Sequence, residues 1–378
     1  MKVLLLGNYL PDGQESMQRF THMLDQALRD KGIPVSQLQP PVVWGSLPAP
    51  AALKKWLGYI DKFILFPQQL EKAVRQVDFV HVIDQANAVY VPHLGTTPYL
   101  VTCHDLMAIQ SALGDYPENP TGATGKIYQR WILSSLKKAR WIACVSEYTQ
   151  KTLLSLIAPT PHATYVVPNG LNFSYQRQLD FAPIVQSLGV TQPYILHVGG
   201  NLWYKNRLGM IRIFDQLLHH ATPDPILDRL TLVMVGKPFT PEMTNYVQQH
   251  GLGSRILSLV NVSNPQLEAL YSGAEVFVFP SLMEGFGWPI IEAQACGCAV
   301  VCGDAGPLPE VAGAGALMAS AKDERAMAEQ VRRLLTEPSL RQQVVAQGTQ
   351  NVERFRPQTM IDRYVQLYET ILAGSQHP

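Results

Sequence analysis

The chain reads as an α/β protein made of two doubly wound domains. Short apolar runs alternate with amphipathic helical stretches along almost all of its 378 residues, the pattern of parallel strands joined by crossover helices. The alternation opens with strand, loop and helix over residues 2–31 and opens again in the same way near 194–208. The length is enough for two domains. In sheets of this kind ligands bind outside the carboxyl ends of the strands.

Composition narrows the function. Lys and Arg number 30, Asp and Glu 30, so no basic face for nucleic acid is expected. Residues 2–7 are too short an apolar run for a signal-peptide core, and no stretch approaches the roughly 20 apolar residues of a spanning helix. The five cysteines are scattered, which suits a reducing cytoplasm. A cytoplasmic protein, or one peripheral on the inner face of the membrane, is the expectation. Cys296, Cys298 and Cys302 cluster without a nearby His or a two-residue Cys-Cys spacing, so packed thiols are expected rather than metal ligands.

The first strand spans 2–7. A loop over 8–15 follows, then a helix capped by Ser16 that runs to about Lys31, with Phe20, Met23, Leu24 and Leu28 on one face, and Gly32 ends it. The loop holds Gly13 and Gln14 but no Gly-x-Gly-x-x-Gly, so a dinucleotide site is weakly supported. Residues 40–50 are rich in proline and read as loop. Over 51–66, Leu53, Trp56, Leu57, Ile60, Phe63 and Ile64 share a helix face, with Lys54, Lys55, Asp61 and Lys62 off it. Such a helix packs on its own domain or lies on a membrane surface, and the pattern leaves both open.

Strands are expected at 77–83 and 98–103. The second runs into His104-Asp105, a polar pair where a strand meets the ligand crevice; the alternative is a capping Asp beside a packed His. Residues 114–125 read as a polar loop. A helix over 126–138, a strand at 141–145, a helix capped by Ser146 and a strand at 164–167 complete the first half, which ends in the turn Pro168-Asn169-Gly170. The linker is expected near 172–190.

The second half opens with a strand at 194–198 and a Gly199-Gly200 turn, with Asn201, Lys205, Asn206 and Arg207 ahead of a helix from about Leu208. Strands at 232–235 and 256–260 alternate with helices at 240–250 and 265–271, and Val262 lies in the loop at the crevice. The apolar run Val276-Phe277-Val278-Phe279 leads into a loop with Glu284, Gly285, Phe286 and Gly287. Pro289 suits the start of the next helix. Glu292 is expected in its first turn, so two carboxylates converge beside a helix N-terminus able to take a phosphate. A strand at 299–302, helices from about Glu324 and Ser339 and a final helix at about 358–372 follow.

A Glu, seven residues and a second Glu, with Gly-Phe-Gly after the first, resembles the donor-site signature of the retaining glycosyltransferases of family 4. Gly297, Leu308-Pro309-Glu310-Val311, Lys205-Asn206 and Pro168-Asn169-Gly170 extend the match over most of the chain. The resemblance implies the GT-B architecture: two Rossmann-like domains facing a central cleft, with the last helix crossing back to the first. It implies an acceptor-side domain over 1–175, a nucleotide-sugar domain over 190–356 and a crossover helix over 357–378. The implied activity moves a sugar from a nucleotide-sugar donor to a hydroxyl of a glycan, lipid-linked or small-molecule acceptor, with retained configuration and without a metal or other cofactor.

Lys205, Glu284 and His104 are the implied catalytic residues. The implied donor contacts are Gly13, Gln14, Asp105, Asn201, Val262, Gly285, Phe286, Gly287 and Glu292. Glu292 would accept the ribose hydroxyls and Glu284 would orient the donor sugar, while the compact Lys205 ammonium suits a diphosphate. Two departures stand out. Relatives usually pair two glycines in the first loop, where this chain has Gly13 beside Gln14. Many carry an arginine where this chain has Gly200 or Asn201, which leaves Arg207 as the candidate substitute. With a lipid-linked acceptor, residues 51–66 would supply a peripheral membrane contact. The alternatives are a sugar phosphorylase or synthase of the same architecture, and a noncatalytic nucleotide-sugar-binding protein.

Overall fold

Two six-stranded parallel sheets carry the chain. The structure, a computed structural model, describes residues 1–158, 163–219 and 225–375. It divides into one unit of 1–172 with 357–378 and a second of 173–356, each built on a doubly wound parallel sheet.

The first unit contains β1 (Val3–Leu6), β2 (Val35–Leu38), β3 (Phe79–Val82), β4 (Tyr99–Cys103), β5 (Trp141–Cys144) and β6 (Ala163–Val166), ordered β2-β1-β3-β4-β5-β6. The order reverses between β1 and β3, which pair from Val3 opposite Phe79 to Leu6 opposite Val82. Both are fully buried, and burial on two faces is why β1 reads as an unbroken apolar run and β3 as one broken only by His81. The edge strand β2 escaped sequence analysis because only Val35 among its residues is buried, so it has no apolar run to see. The helix Met107–Leu113 was also missed, and the next one starts at Ala123 rather than 126.

The Glu15–Asp30 helix buries Met17, Phe20, Leu24 and Leu28. Ser16 is not its cap. The helix begins two residues earlier than that cap implies, Gln14 holds the cap position without a side-chain cap bond, and Ser16 lies in the first turn.

Residues 51–66 depart further from expectation. An α-helix, Ala51–Ile60, passes through a π-helical stretch, Asp61–Leu65, into a second α-helix, Phe66–Val74. A π turn takes one extra residue, so the buried face slips by about 100°. Asp61, expected off the apolar face, is 0% exposed, while Trp56 and Ile64 are 54% and 63% exposed. The Asp61 carboxylate accepts hydrogen bonds from the Tyr9 hydroxyl at 2.7 Å and from the backbone N–H groups of Val43, Trp44 and Gly45 at 3.1, 2.9 and 2.9 Å. Lys62 reaches Asp12 at 3.0 Å and lies 5.1–5.9 Å from the ring centres of Tyr9, Tyr59, Phe63 and Tyr128, an arrangement that favours a cation.

The final helix, Pro357–Ser375, returns to the first unit and buries Met360, Ile361, Tyr364, Tyr368 and Ile371. His81 of β3 sits 2.6 Å from the Tyr368 hydroxyl and 2.7 Å from Thr102 of β4, which in turn meets the Tyr364 hydroxyl at 3.2 Å. Burial pushes His81 down to about 3, so it is neutral and these are bonds between uncharged groups.

The second unit contains β7 (Tyr194–Gly199), β8 (Thr231–Gly236), β9 (Ile256–Leu259), β10 (Val276–Phe279), β11 (Ala299–Gly303) and β12 (Leu317–Ala319), ordered β12-β11-β10-β7-β8-β9. The chain leaves β7 in one direction through β8 and β9, then starts again on its other side at β10. That reversal is the switch point where doubly wound sheets open a crevice. The short β12 and the Leu308–Ala312 helix were not expected. The segment read as a linker is counted with this unit: Glu268 accepts the Gln176 N–H at 2.8 Å and the Gln178 side chain, and Ala182–Ser187 is helical. All five cysteines are buried and free, as packed thiols should be.

Candidate active site

Lys205 and Glu284 meet at the β7/β10 switch point. Beyond β7 the chain makes a short 3-10 turn, Trp203–Lys205, and Asn206 takes a left-handed conformation (φ 51°) before the Arg207–Leu218 helix. The Asn206 side chain donates to the carbonyls of Pro280 and Ala321, both at 3.1 Å. The Leu282 N–H donates to the Tyr204 carbonyl at 2.8 Å. These bonds tie the loop after β7 to the loop after β10, and Lys205 Nζ then lies 2.7 Å from Glu284 Oε1. The side chains are 17% and 7% exposed. Rings of Tyr204 and Phe279 flank the ammonium at 5.4 and 5.2 Å.

Gly287 opens the next helix, Trp288–Ala295, in a left-handed conformation (φ 108°), which only glycine adopts without strain. Pro289 takes the second helical position, and Glu292 lies beyond the first turn. A helical side chain tilts back toward the N-terminus. Glu292 is buried, and its Oε2 accepts the Tyr271 hydroxyl at 3.0 Å. Burial, followed by the Glu292 charge, holds the Tyr271 phenol well above its usual range, so it remains a donor. Phe286 points into the interior against Trp288 and Phe355. Gly285 belongs to the same loop. Asn201 is exposed and donates to the Pro238 carbonyl at 2.8 Å. Val262 follows β9, at the sheet edge.

The first unit has its own polar cluster at the β1/β3 switch point. Asn8 donates to Asp84 at 2.5 Å and to Gln14, and Asn87 donates to the Asn8 side chain at 3.0 Å. Gly13 (φ 66°) is in open space. His104 is buried with its ring edge-on to Phe20. Its Nε2 is 2.8 Å from the Ile83 carbonyl, which only accepts, so Nε2 carries the proton. Burial lowers the His104 pKa against the opposing pull of Asp84. Asp105 accepts the Met107 N–H at 3.0 Å at the start of the Met107–Leu113 helix.

Sequence analysis missed Tyr271, Asp84 and Asn8, and named Asn206 without its role in tying the loops together. Only the Lys-Asn pair held a trace of Asn206. Tyr271 and Asp84 belong to elements whose apolar pattern carries no sign of a polar partner elsewhere in the chain.

Residues 182–351 match the family of glycosyl transferases group 1, and residues 17–175 match glycosyltransferase family 4. The chain belongs to this family of GT-B glycosyltransferases. It is 25% identical over 313 residues to the O-antigen chain mannosyltransferase B of Escherichia coli, covering 82% of this chain and 79% of that one. It is 30% identical over 265 residues to a D-inositol 3-phosphate glycosyltransferase of Frankia alni, covering 66% of this chain and 62% of the relative. Among solved structures, Anabaena Alr3699/HepE in complex with UDP and glucose superposes with a TM-score of 0.75 at 16% identity, over 98% of this chain and 99% of the other; at that identity the likeness concerns the fold.

Proposed function

We propose that this glycosyltransferase takes a nucleotide-sugar donor and transfers its sugar with retained configuration, without a metal ion. The observation that carries the reading is the Lys205–Glu284 ion pair at 2.7 Å on the switch point of the second sheet, with Glu292 on the helix that follows. As the bond between the anomeric carbon and the diphosphate oxygen breaks, its electron pair stays on the diphosphate. The acceptor hydroxyl bonds to that carbon and its proton passes to the departing diphosphate. Lys205 and the positive ends of the Arg207–Leu218 and Trp288–Ala295 helices meet the growing negative charge. Glu284, held by Lys205, orients the sugar hydroxyls and is not assigned as a nucleophile. Glu292, fixed by Tyr271, takes the ribose hydroxyls. Gly285 and Gly287 shape the loop, and Asn201 and Val262 border the nucleotide.

Incubation with a panel of nucleotide sugars and hydroxyl acceptors, followed by NMR of the anomeric proton, tests this reading. Release of a nucleoside diphosphate with retained configuration supports it; an inverted product, or release of sugar 1-phosphate from glycan and phosphate, counts against it. Glu292→Ala should raise the donor KM by about tenfold or more, as expected for a lost hydrogen bond to a charged group, and should change kcat less. An unchanged KM would remove Glu292 from the ribose role.

The acceptor is proposed to be lipid-linked. Trp44, Leu47, Leu53, Trp56 and Ile64 of the first unit are all exposed, with exposed Lys54 and Lys55 beside them, a composition suited to an anionic membrane surface. No helix among the described residues is long and apolar enough to cross a membrane. The protein should float with anionic vesicles, and the combined variant Leu53→Ser, Trp56→Ser, Ile64→Ser should not. Equal recovery with and without vesicles would argue for a water-soluble acceptor.

A further inference from the structure

Arg207 is the first residue of a 12-residue helix and is 2% exposed. A cation there opposes the positive end of its own helix. Burial also acts against it and lowers its pKa, though a guanidinium stays charged. No carboxylate lies within ion-pair distance of it among the described residues. Its Nη1 donates to the Asn201 side chain and, at 2.7 Å, to the Lys237 carbonyl. Its Nε and Nη2 are buried without a hydrogen-bond partner among the described residues. Leaving such donors unpaired is costly, so a structural role alone accounts poorly for an arginine at this place.

The neighbourhood points the same way. His197 of β7 is also buried with Nε2 unpartnered among the described residues, and so is Ser281 Oγ just past β10. A Cβ on Gly199 would stand 3.1 Å from His197 Nε2 and 3.6 Å from the Lys205 Cβ, so His197 and Lys205 share the switch point, and the Arg207 charge acts on the same His197 ring. His197 Nδ1 lies 3.0 Å from the Val278 carbonyl, and burial pushes its pKa down to about 3; it is neutral and adds no charge. Lys205 is balanced by Glu284. Among these groups the surplus positive charge rests on Arg207.

We infer that Arg207 is a positioning residue for the donor diphosphate, acting from the start of the helix that follows β7. It fixes the turn after β7 through Asn201 and the loop after β8 through Lys237. Its field, weakly screened because it is buried, stabilises an anion in the crevice. The inference rests on the donor reading above.

Thermal melting of wild type, Arg207→Met and Arg207→Lys with UDP, GDP, ADP and inorganic pyrophosphate tests it. Without ligand, Arg207→Met should melt at the wild-type temperature or higher, because an uncompensated cation has gone. Its affinity for the diphosphate that stabilises wild type should fall by about tenfold or more, the loss of a nearby, weakly screened charge. Arg207→Lys, which keeps the charge, should recover most of that affinity. An Arg207→Met protein that binds like wild type, or that melts well below it or fails to fold, would overturn the inference, as would an Arg207→Lys variant no better than Arg207→Met. If no diphosphate stabilises the wild type, the donor reading fails first, and this inference with it.

Discussion

Lys205→Ala should turn over at saturating donor about one hundredfold more slowly than wild type, or worse, the usual effect of losing one preorganised transition-state charge. The ammonium is well placed for that role. It is 17% exposed and flanked by two aromatic rings, so little water screens it. The alanine variant also leaves Glu284 buried without its cation, which adds a negative charge where the diphosphate develops its own. Both effects grow as the leaving group departs, so kcat should suffer more than KM. Lys205→Arg should recover only part of the rate, because a broad planar fork replaces a point charge. Steady-state kinetics with a nucleotide sugar decides the matter; near-normal turnover by Lys205→Ala would take the residue out of this role.

Asp61→Ala should destabilise the first unit by about 3 kcal/mol or more, since it strips the acceptor from two buried and two part-buried donors at once. Three backbone N–H groups and the Tyr9 hydroxyl converge on this carboxylate. Burial alone would raise its pKa, but the bonds from Gly45, Trp44, Tyr9 and Val43 outweigh burial and hold it below the usual carboxylate range. A depressed native pKa gives stability that is present above the unfolded value and is lost as pH falls through the native one. The stability gap between wild type and Asp61→Ala should therefore be largest near neutrality and shrink below about pH 4. Urea unfolding at several pH values measures it. A gap that is small, or that widens in acid, would mean the carboxylate does not clamp the 43–45 turn.

The parts of the fold that announce themselves are those whose burial leaves a periodic trace. β1 and β10 are apolar throughout, and β3 and β7 carry a single histidine each, because helices cover both faces, and each was found within a residue or two. β2 carries Ser36 and Gln37 at a sheet edge and left no such trace. The 51–66 helix misled for a different reason. Its pattern is helical, but the π turn at Asp61–Leu65 moves the buried face, and no local residue preference marks an inserted residue. Ser16 is a good capping type, yet the helix starts earlier.

The site divides along the same line. Lys205, Glu284 and Glu292 stood out because they lie at fixed offsets within short motifs, and the structure brings Lys205 and Glu284 into contact. Their supports were hidden because they act across the chain: Tyr271 reaches Glu292 from another helix, and Asn206 reaches Pro280 and Ala321. His104 and Asp105 were visible as a polar pair, but only coordinates show that one ring nitrogen is committed to the Ile83 carbonyl.

Calorimetric titration of wild type and Lys205→Ala with nucleoside diphosphates, and with the matching uncharged nucleosides, bears most directly on the switch-point crevice as a diphosphate site. Wild type should bind at least one diphosphate far more tightly than its nucleoside, and Lys205→Ala should lose about tenfold or more of that preference. Equal affinity for nucleoside and diphosphate, or a preference untouched by the substitution, would contradict it.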